Sequence, residues 1–178
     1  MSTLRIYNKE FEPFLSRTEI AQAIHELASK INTDFAGKEL VIVGVLDGAF
    51  MFLSDLMKEL TINVTLEMVK LKSYEGESTT GHVRRLLGLS RSLRGRHVMI
   101  VEDIIDTGIT LGHLMELLEA EKPASVTVTT LLLKEEVFKS KYAIDHFGFS
   151  IPNKFVVGYG MDYDGLGRQY PDIYAAIH

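Results

Sequence analysis

The sequence predicts an α/β protein whose twisted, mainly parallel sheet is flanked by helices. Apolar residues at helical spacing alternate along the chain with short β-branched runs, and this alternation is typical of βαβ units. The runs LVIVGVL at 40–46 and HVMIV at 97–101 are almost entirely apolar, as expected for strands that are covered on both faces. A length of 178 residues favours a single domain over two.

The first half of the chain contains two predicted helices and two predicted strands. SRTE at 16–19 matches a capping box. The apolar residues that follow it at helical spacing are Ile20, Ile24, Leu27, Ala28 and Ile31. After the strand at 40–46, apolar residues between 52 and 60 predict an amphipathic helix, and VTLEMVKL at 64–71 predicts a strand. The order is therefore helix, strand, helix, strand.

The second half continues the alternation after a polar interruption. Residues 73–95 are rich in Gly, Ser, Thr and charge, and so long a polar connection in a compact domain favours a mobile lid over a disordered loop. After the strand at 97–101, apolar residues between 111 and 118 predict a helix, and SVTVTTLLL at 125–133 predicts a strand. Residues 151–178 are richer in Gly and Tyr and are expected to form a smaller subdomain.

The charge of the chain argues against a general nucleic-acid binder. The formal net charge is -5 and the pI is about 5.7, whereas neutralising phosphates requires a basic surface. The arginines that cluster are Arg84, Arg85, Arg91, Arg94 and Arg96. An RNA- or phosphate-facing patch is one interpretation of this cluster. We favour the other, solvated or carboxylate-paired arginines, because that is usual in acidic proteins.

Cysteine and long apolar segments are both missing from the sequence. Without cysteine, disulfides, thiolate zinc sites and a cysteine nucleophile are excluded. The longest aliphatic run, at 40–46, is far too short to span a bilayer. We therefore expect a cytoplasmic protein with no membrane partner.

Three carboxylates stand at the end of the third predicted strand. In VMIVEDIIDTGIT at 98–110, Glu102 and Asp103 directly follow the strand and Asp106 comes soon after. Ligands of open α/β sheets bind beyond the carboxyl ends of the strands, so these side chains are predicted to face the binding crevice. The next helix is predicted to begin between Asp106 and Gly108, where free N–H groups and the positive end of the helix dipole suit a phosphate.

The composition of this stretch favours a phosphorylated sugar that carries a diphosphate. Sugar hydroxyls can donate to Glu102 and Asp103, while Mg²⁺ can separate these carboxylates from the diphosphate. Asp106 is then left for proton transfer or for stabilising positive charge. Helix capping is the alternative explanation of these acids, and it contributes about 0.3–1 kcal/mol for each. Capping explains one acid but not three acids together with Gly and two Thr.

These residues carry a resemblance to a known family. VMIVEDIIDTGIT is similar to the phosphoribosyl diphosphate-binding signature of type I phosphoribosyltransferases, and the whole chain resembles the hypoxanthine (guanine) phosphoribosyltransferases. Other blocks follow in family order. GVLDGAFMFLSDL at 44–56 resembles the diphosphate-binding loop and LKSYEGES at 71–78 the start of the mobile lid. LLLK at 131–134 resembles the base-recognition strand, and residues 151–174 resemble the purine-binding hood.

The resemblance implies a reaction and a division of the chain. The reaction is the Mg²⁺-dependent transfer of 5-phosphoribose from 5-phosphoribosyl 1-diphosphate to N9 of a 6-oxopurine, hypoxanthine or guanine, in purine salvage. The division is a core over about residues 16–150 and a C-terminal hood over about residues 151–178, completed by the N-terminal segment. The family also implies a homodimer or homotetramer.

The resemblance also implies roles for individual residues around the sugar. Glu102 and Asp103 would hold the ribose hydroxyls, and Asp106 would act as the general base at purine N7. The residues implied for the 5-phosphate are Asp106, Thr107, Gly108, Ile109 and Thr110. Those implied for the diphosphate are Leu46, Asp47, Gly48, Ser73, Tyr74 and Arg168, with a cis peptide bond between Leu46 and Asp47.

The remaining implied roles concern the purine and the metal. Lys134 would meet the exocyclic O6, Phe155 would stack on the ring, and the backbone of Val156 would contact the edge of the base. Met161 and Asp162 complete the purine-binding set. Mg²⁺ would be held by Glu102, Asp103 and, through water, Asp162. Without the resemblance, Lys134 would be predicted to face solvent, Phe155 to lie in the core and Arg168 to lie on the surface.

Two positions depart from the family pattern. Family members often carry lysine where this chain has Asp47, so only the loop backbone is expected to attract diphosphate. Position 109 is Ile, so no extra basic residue assists the phosphate loop.

Rival functions have less support. An RNA-binding regulator with the same fold rests on the arginine cluster alone. A nucleotide site of the dinucleotide or ATP type lacks its glycine-rich motif, and the histidines lack zinc-ligand spacing.

Overall fold

The computed structural model describes residues 2–72 and 84–177. The elements in this part of the chain are β1 (Leu4–Ile6), β2 (Lys9–Leu15), α1 (Arg17–Asp34), β3 (Leu40–Leu46), α2 (Phe50–Glu59), β4 (Val64–Lys72), β5 (Arg84–Leu87), β6 (His97–Ile105), α3 (Ile109–Ala120), β7 (Ser125–Leu133), β8 (His146–Ser150), β9 (Val156–Val157) and β10 (Ile173–Ala176).

The main sheet has the strand order β5-β4-β3-β6-β7-β8. The strands from β4 to β8 in this order are parallel, and β5 pairs with β4 in the antiparallel direction at the edge. The mainly parallel sheet predicted from the sequence is therefore confirmed. Strands β3 and β7 have the predicted bounds: β3 is one continuous apolar run, and β7 is rich in β-branched Val and Thr before its three leucines.

The helices cover both faces of this sheet. Alternate residues of β3 point to opposite faces, so Leu40 and Ile42 join one hydrophobic core and Val41 and Val43 join the other. Helices α1 and α2 pack in the first core, and α3 packs in the second. None of the helices in the described ranges is long and apolar enough to cross a membrane.

Helix α1 begins where the capping box predicts. The Ser16 side chain accepts from the Glu19 backbone N–H, while a Glu19 carboxylate oxygen accepts from Ser16 N at 2.8 Å. All of the predicted apolar residues of this helix are buried, as is Ala23. Reciprocal capping of this kind satisfies N–H groups that have no partner inside the helix.

The predicted end of β6 at residue 101 is wrong, because the strand continues to Ile105. Glu102 is paired with Thr130 of β7, and Ile105 with Leu133. Backbone ladder bonds do not depend on side-chain polarity, so β6 continues as long as β7 lies beside it. Glu102 and Asp103 therefore lie within the strand and not in a loop after it.

A second, antiparallel sheet with the order β1-β2-β10-β9 joins the segment before α1 to residues 156–176. The sequence did not predict these strands or β8. Arg17 at the start of α1 holds this sheet close to the core, because its backbone N–H and guanidinium donate to the buried carboxylate of Asp172. The predicted division into core and hood stays a prediction.

Residues 73–83 of the predicted lid lie outside the described residues. The rest of the segment contains β5, and Leu93 is fully buried in the second core. Two arginines of the cluster are near carboxylates: Arg91 lies 3.9 Å from Glu67 and Arg96 lies 3.9 Å from Glu39. For these two, carboxylate pairing is the interpretation that the structure favours.

Candidate active site

A cavity of about 300 Å³ opens where β3, β6 and β7 end. Its lining residues are Asp47, Gly48, Asp103, Ile104, Asp106, Lys134, Phe155, Val156, Met161, Asp162 and Arg168. All of them except Ile104 are predicted site residues. The carboxyl ends of parallel strands meet at one edge of the sheet, which brings these distant segments together.

A larger cavity, of about 550 Å³, shares Phe155 with the first. Among its lining residues are Arg5, Lys9 and Lys154, and Glu10 is the one acidic side chain that the described residues contribute. None of the acids of the 98–110 stretch lies in it. The smaller cavity is therefore the candidate site.

The two acids of β6 are in different surroundings. Glu102 is buried, and burial, followed by the nearby charge of Asp103, holds the pKa of its carboxyl well above the usual range. Asp103 reaches the cavity wall, where burial raises its pKa to about 6 despite backbone hydrogen bonds and the charge of Arg168, which act in the opposite direction. Asp103 is therefore the member of the pair that lines the cavity, and Glu102 lies behind it.

The loop after β3 touches Asp103 closely. The Leu46–Asp47 peptide bond is cis, as the resemblance implied. A Cβ on Gly48 would lie 1.9 Å from Oδ2 of Asp103, so glycine is required for this approach. Gly160 has φ +98, and a Cβ there would lie 2.1 Å from the Gly48 carbonyl oxygen. The sequence analysis did not single out Gly160, which had no signal beyond its place in a glycine-rich segment.

The loop between β6 and α3 presents the free start of a helix. Gly108 is the N-cap of α3, with φ 83, and no side chain caps this helix. Its first turn contains no acidic residue. Capping therefore does not explain the acids at 102–106, and the N–H groups that begin α3 are left for a ligand. Thr107 to Thr110 are not among the residues that line the described cavity, although they continue the chain from Asp106.

Lys134 and Asp106 form an ion pair at 2.5 Å between Nζ and Oδ1. Lys134 N donates to the Ile105 carbonyl, so the residues that directly follow β6 and β7 lie side by side at the cavity. Only 9% of the Lys134 side chain is exposed, whereas 51% of the Asp106 side chain is. The solvent-facing position that Lys134 alone would suggest is therefore wrong. Phe155 is 42% exposed at the cavity and is not a core residue.

Arg168 is held by two partners beside the loop after β3. Its guanidinium donates to the Gly160 carbonyl at 2.7 Å and to Asp162 at 2.7 Å. Asp162 also accepts from Gly165 N at 2.7 Å, which orders the turn that follows it. Asp47 lies 4.0 Å from the same guanidinium. Arg168 is therefore placed at the cavity and not on an open surface.

Some predicted site residues are not placed in the cavity. Ser73 and Tyr74 lie outside the described residues. Leu46 precedes the lining residues of its loop and is not one of them. Ile104 was missed, although its position between two acids of the same motif could have indicated it.

Comparison with known proteins decides the family. The sequence model of one protein family, the phosphoribosyl transferase domain, matches residues 13–164 of the chain. The chain belongs to the phosphoribosyltransferase family. The resemblance and the fold class inferred from the motifs are thereby confirmed.

Individual relatives cover almost the whole chain. The hypoxanthine-guanine phosphoribosyltransferase of Dictyostelium discoideum is 39% identical over 165 residues, which are 90% of this chain and 92% of the relative. The Staphylococcus aureus (strain Mu50) enzyme of the same name is 37% identical over 169 residues, 94% of each chain. The crystal structure of a Bacillus anthracis hypoxanthine-guanine phosphoribosyltransferase superposes with a TM-score of 0.87 at 35% identity, covering 94% of this chain and 97% of that one.

Proposed function

We propose that this phosphoribosyltransferase transfers 5-phosphoribose from 5-phosphoribosyl 1-diphosphate to N9 of hypoxanthine and guanine, and releases diphosphate. One observation carries the proposal. A single cavity is lined by Asp103 of β6, by Asp47 and Gly48 of the loop after β3, by the Lys134–Asp106 pair and by Phe155. The Dictyostelium discoideum and Staphylococcus aureus relatives are hypoxanthine-guanine phosphoribosyltransferases, which supports the same substrates.

The acids of β6 are suited to the sugar. Positive charge develops on the ribose as the bond between C1 and diphosphate breaks, and a nearby carboxylate stabilises that charge. With a pKa of about 6, Asp103 is ionised in most molecules at pH 7 to 8 and can accept from ribose hydroxyls. Glu102 is buried behind Asp103, and its role at the ribose hydroxyls rests on the resemblance alone.

The free start of α3 is suited to the 5-phosphate. Backbone N–H groups from Gly108 onward can donate to phosphate oxygens, and the helix dipole favours a negative charge there. Thr107 and Thr110 add hydroxyl donors to this loop. Ile109, a residue that is 69% exposed, would contribute only its backbone.

The Lys134–Asp106 pair matches one edge of a 6-oxopurine. O6 is an acceptor, and N7–H, in the tautomer that reacts at N9, is a neighbouring donor. Lys134 has only donors and Asp106, when ionised, has only acceptors. A base that enters the cavity can therefore replace each partner of the existing ion pair, and Asp106 can take the N7 proton. Adenine presents an amino group to Lys134 and should be rejected.

The other side of the base is expected to meet the segment around β9. Phe155 is exposed at the cavity and can stack on the purine ring. Val156 and Met161 also line the cavity, and the contact of the Val156 backbone with the edge of the base rests on the resemblance.

The donor set at the cavity suits Mg²⁺. Asp103 and Asp162 both line it, with Glu102 behind, and Mg²⁺ prefers one or two carboxylates together with substrate phosphates. Within residues 2–72 and 84–177, no group of three or more His, Cys, Asp or Glu side chains could hold a metal ion. This chain would thus supply only part of the coordination. When bound with the diphosphate, Mg²⁺ supplies positive charge that offsets the charge of the leaving group.

Arg168 and the backbone of the loop at 46–48 would bind the diphosphate. Ser73 and Tyr74 belong to this proposal through the resemblance alone. A homodimer or homotetramer and a cytoplasmic location belong to it in the same way.

The test supplies 5-phosphoribosyl 1-diphosphate and Mg²⁺ with hypoxanthine, guanine, xanthine or adenine, and follows nucleotide formation by ultraviolet absorbance. We expect turnover of hypoxanthine and guanine but not of adenine. Asp106→Asn should lower kcat by about 10²- to 10⁴-fold, the usual contribution of a general base. Glu116→Gln, an exposed change on α3, is the control and should retain activity. Turnover of adenine alone would contradict the role of Lys134.

A further inference from the structure

The charge of the candidate active site is unfavourable for a polyanion. Among its lining residues in the described part of the chain, Asp47, Asp103, Asp106 and Asp162 are carboxylates, whereas Lys134 and Arg168 are the cations. The two cations are also in contact with two of these acids, Asp106 and Asp162. A substrate with a phosphate and a diphosphate would therefore meet an excess of negative charge.

Asp47 is the acid that contributes most directly to this problem. It lies in the loop at 46–48, where the diphosphate is proposed to bind, and 45% of its side chain is exposed. Its carboxylate is 4.0 Å from the Arg168 guanidinium. An ionised Asp47 would both repel the diphosphate and compete with it for Arg168.

A lysine from the neighbouring strand binds this carboxylate. Lys70 Nζ donates to both carboxylate oxygens of Asp47, at 2.8 Å and 2.6 Å. The contact follows from the parallel register of β3 and β4, which pairs Leu46, the residue before Asp47, with Lys70. The lysine does not line the cavity itself, so it reaches the carboxylate from outside.

We propose that Lys70 is a positioning residue for diphosphate binding: it neutralises Asp47 and turns its carboxylate toward β4, so that the backbone of the loop and Arg168 can bind the diphosphate. This inference rests on the proposed function. The ion pair itself contributes little to stability, because both side chains are partly exposed. Its importance lies in what an unpaired Asp47 would do to an incoming anion.

The experiment is a double-mutant cycle with Lys70→Met and Asp47→Asn. The dissociation constant of 5-phosphoribosyl 1-diphosphate is measured by calorimetry in the presence of Mg²⁺, and KM for each substrate is measured by the absorbance assay. Lys70→Met alone should weaken binding of the diphosphate substrate by about tenfold, the scale of one close, partly screened charge pair. KM for hypoxanthine should change little.

Asp47→Asn alone should tighten binding of the diphosphate substrate, because it removes a negative charge from the loop. In that background Lys70→Met should have less than about a twofold effect, since the charge that Lys70 neutralises is gone. Lys38→Met is the matched control. Lys38 Nζ donates to the Asp34 carbonyl just before β3 begins, at the opposite end of that strand from the cavity, and the variant should bind the substrate like the wild type. Melting temperatures are compared so that misfolding is detected.

Three results would overturn the inference. An equal loss from Lys70→Met in both backgrounds would mean that Lys70 contacts the diphosphate itself. Weaker binding in Asp47→Asn would mean that the Asp47 carboxylate is a ligand. Unchanged binding in Lys70→Met would mean that the pair has no role in binding. In each case the wild type would still turn over hypoxanthine, whereas failure of the proposed function would leave the wild type inactive.

Discussion

Gly48→Ala should lower catalytic activity strongly while the protein still folds. The new Cβ would lie 1.9 Å from Asp103 Oδ2, and ordinary contact begins at 3.4 Å, so the two groups must move apart by about 1.5 Å. Either Asp103 leaves its position at the cavity wall or the loop at 46–48 moves outward. Misplacement of a reacting group by about 1 Å can cost 10²-fold in rate. We expect kcat/KM for the diphosphate substrate to fall by about 100-fold.

Gly48→Ala should also lower the free energy of unfolding, but not by enough to unfold the protein. Overpacking of this kind costs about 1–3 kcal/mol, which a folded domain survives. The assay is initial-rate kinetics well below the melting temperature, with circular dichroism to verify the fold. Gly112→Ala is the matched control, because a Cβ at this helical position meets nothing within 4 Å. Wild-type kcat/KM in Gly48→Ala would refute the placement of the loop against Asp103.

Two further predictions concern pH and stability. Burial raises the pKa of Asp103 to about 6 in the folded protein, compared with about 3.9 in an unfolded chain. The stability that the protonated form contributes is therefore complete below about pH 4 and is lost as the pH rises through 6. Asp103→Asn should therefore melt at a higher temperature than the wild type at pH 8 but not at pH 4, and it should lose activity. Equal melting temperatures of the two proteins at pH 8 would contradict this prediction. For Asp172 the sign is opposite, because hydrogen bonds from Arg17 hold the pKa of this carboxyl below its usual value. Asp172→Asn should lower the melting temperature by several degrees at pH 7. The difference from the wild type should shrink as the pH falls through the lowered pKa of Asp172. A difference that stays constant with pH would show that titration of Asp172 does not contribute to the stability of the fold.

Helices and strands were predicted correctly where the sequence pattern that defines them lies within a few neighbouring residues. Strand β3 and helix α1 were predicted because a continuous apolar run and a capping box are each complete within a few residues, and β7 was predicted because its β-branched residues favour a strand. The end of β6 was not, since its extension depends on hydrogen bonds with β7. The antiparallel sheet was missed because most of its strands are short and because the pairing of β2 with β10, which joins its two halves, spans more than a hundred residues of chain.

The candidate site divides in the same way. The motif at 98–110 pointed to Asp103 and Asp106, two of the acids that line the cavity. The Lys134–Asp106 and Lys70–Asp47 ion pairs could not be predicted. Each joins residues that lie in, or directly after, different strands, and the register of those strands is a property of the assembled sheet.

By itself the sequence determined the fold class, the two faces of the sheet and the kinds of side chain available to the ligand, because periodicity and residue chemistry are local. Only the tertiary structure decided which charges face one another and which acids are buried. Burial and distance depend on the packing of segments that are remote in the chain, and these quantities set the pKa of Asp103 and the partner of Asp47.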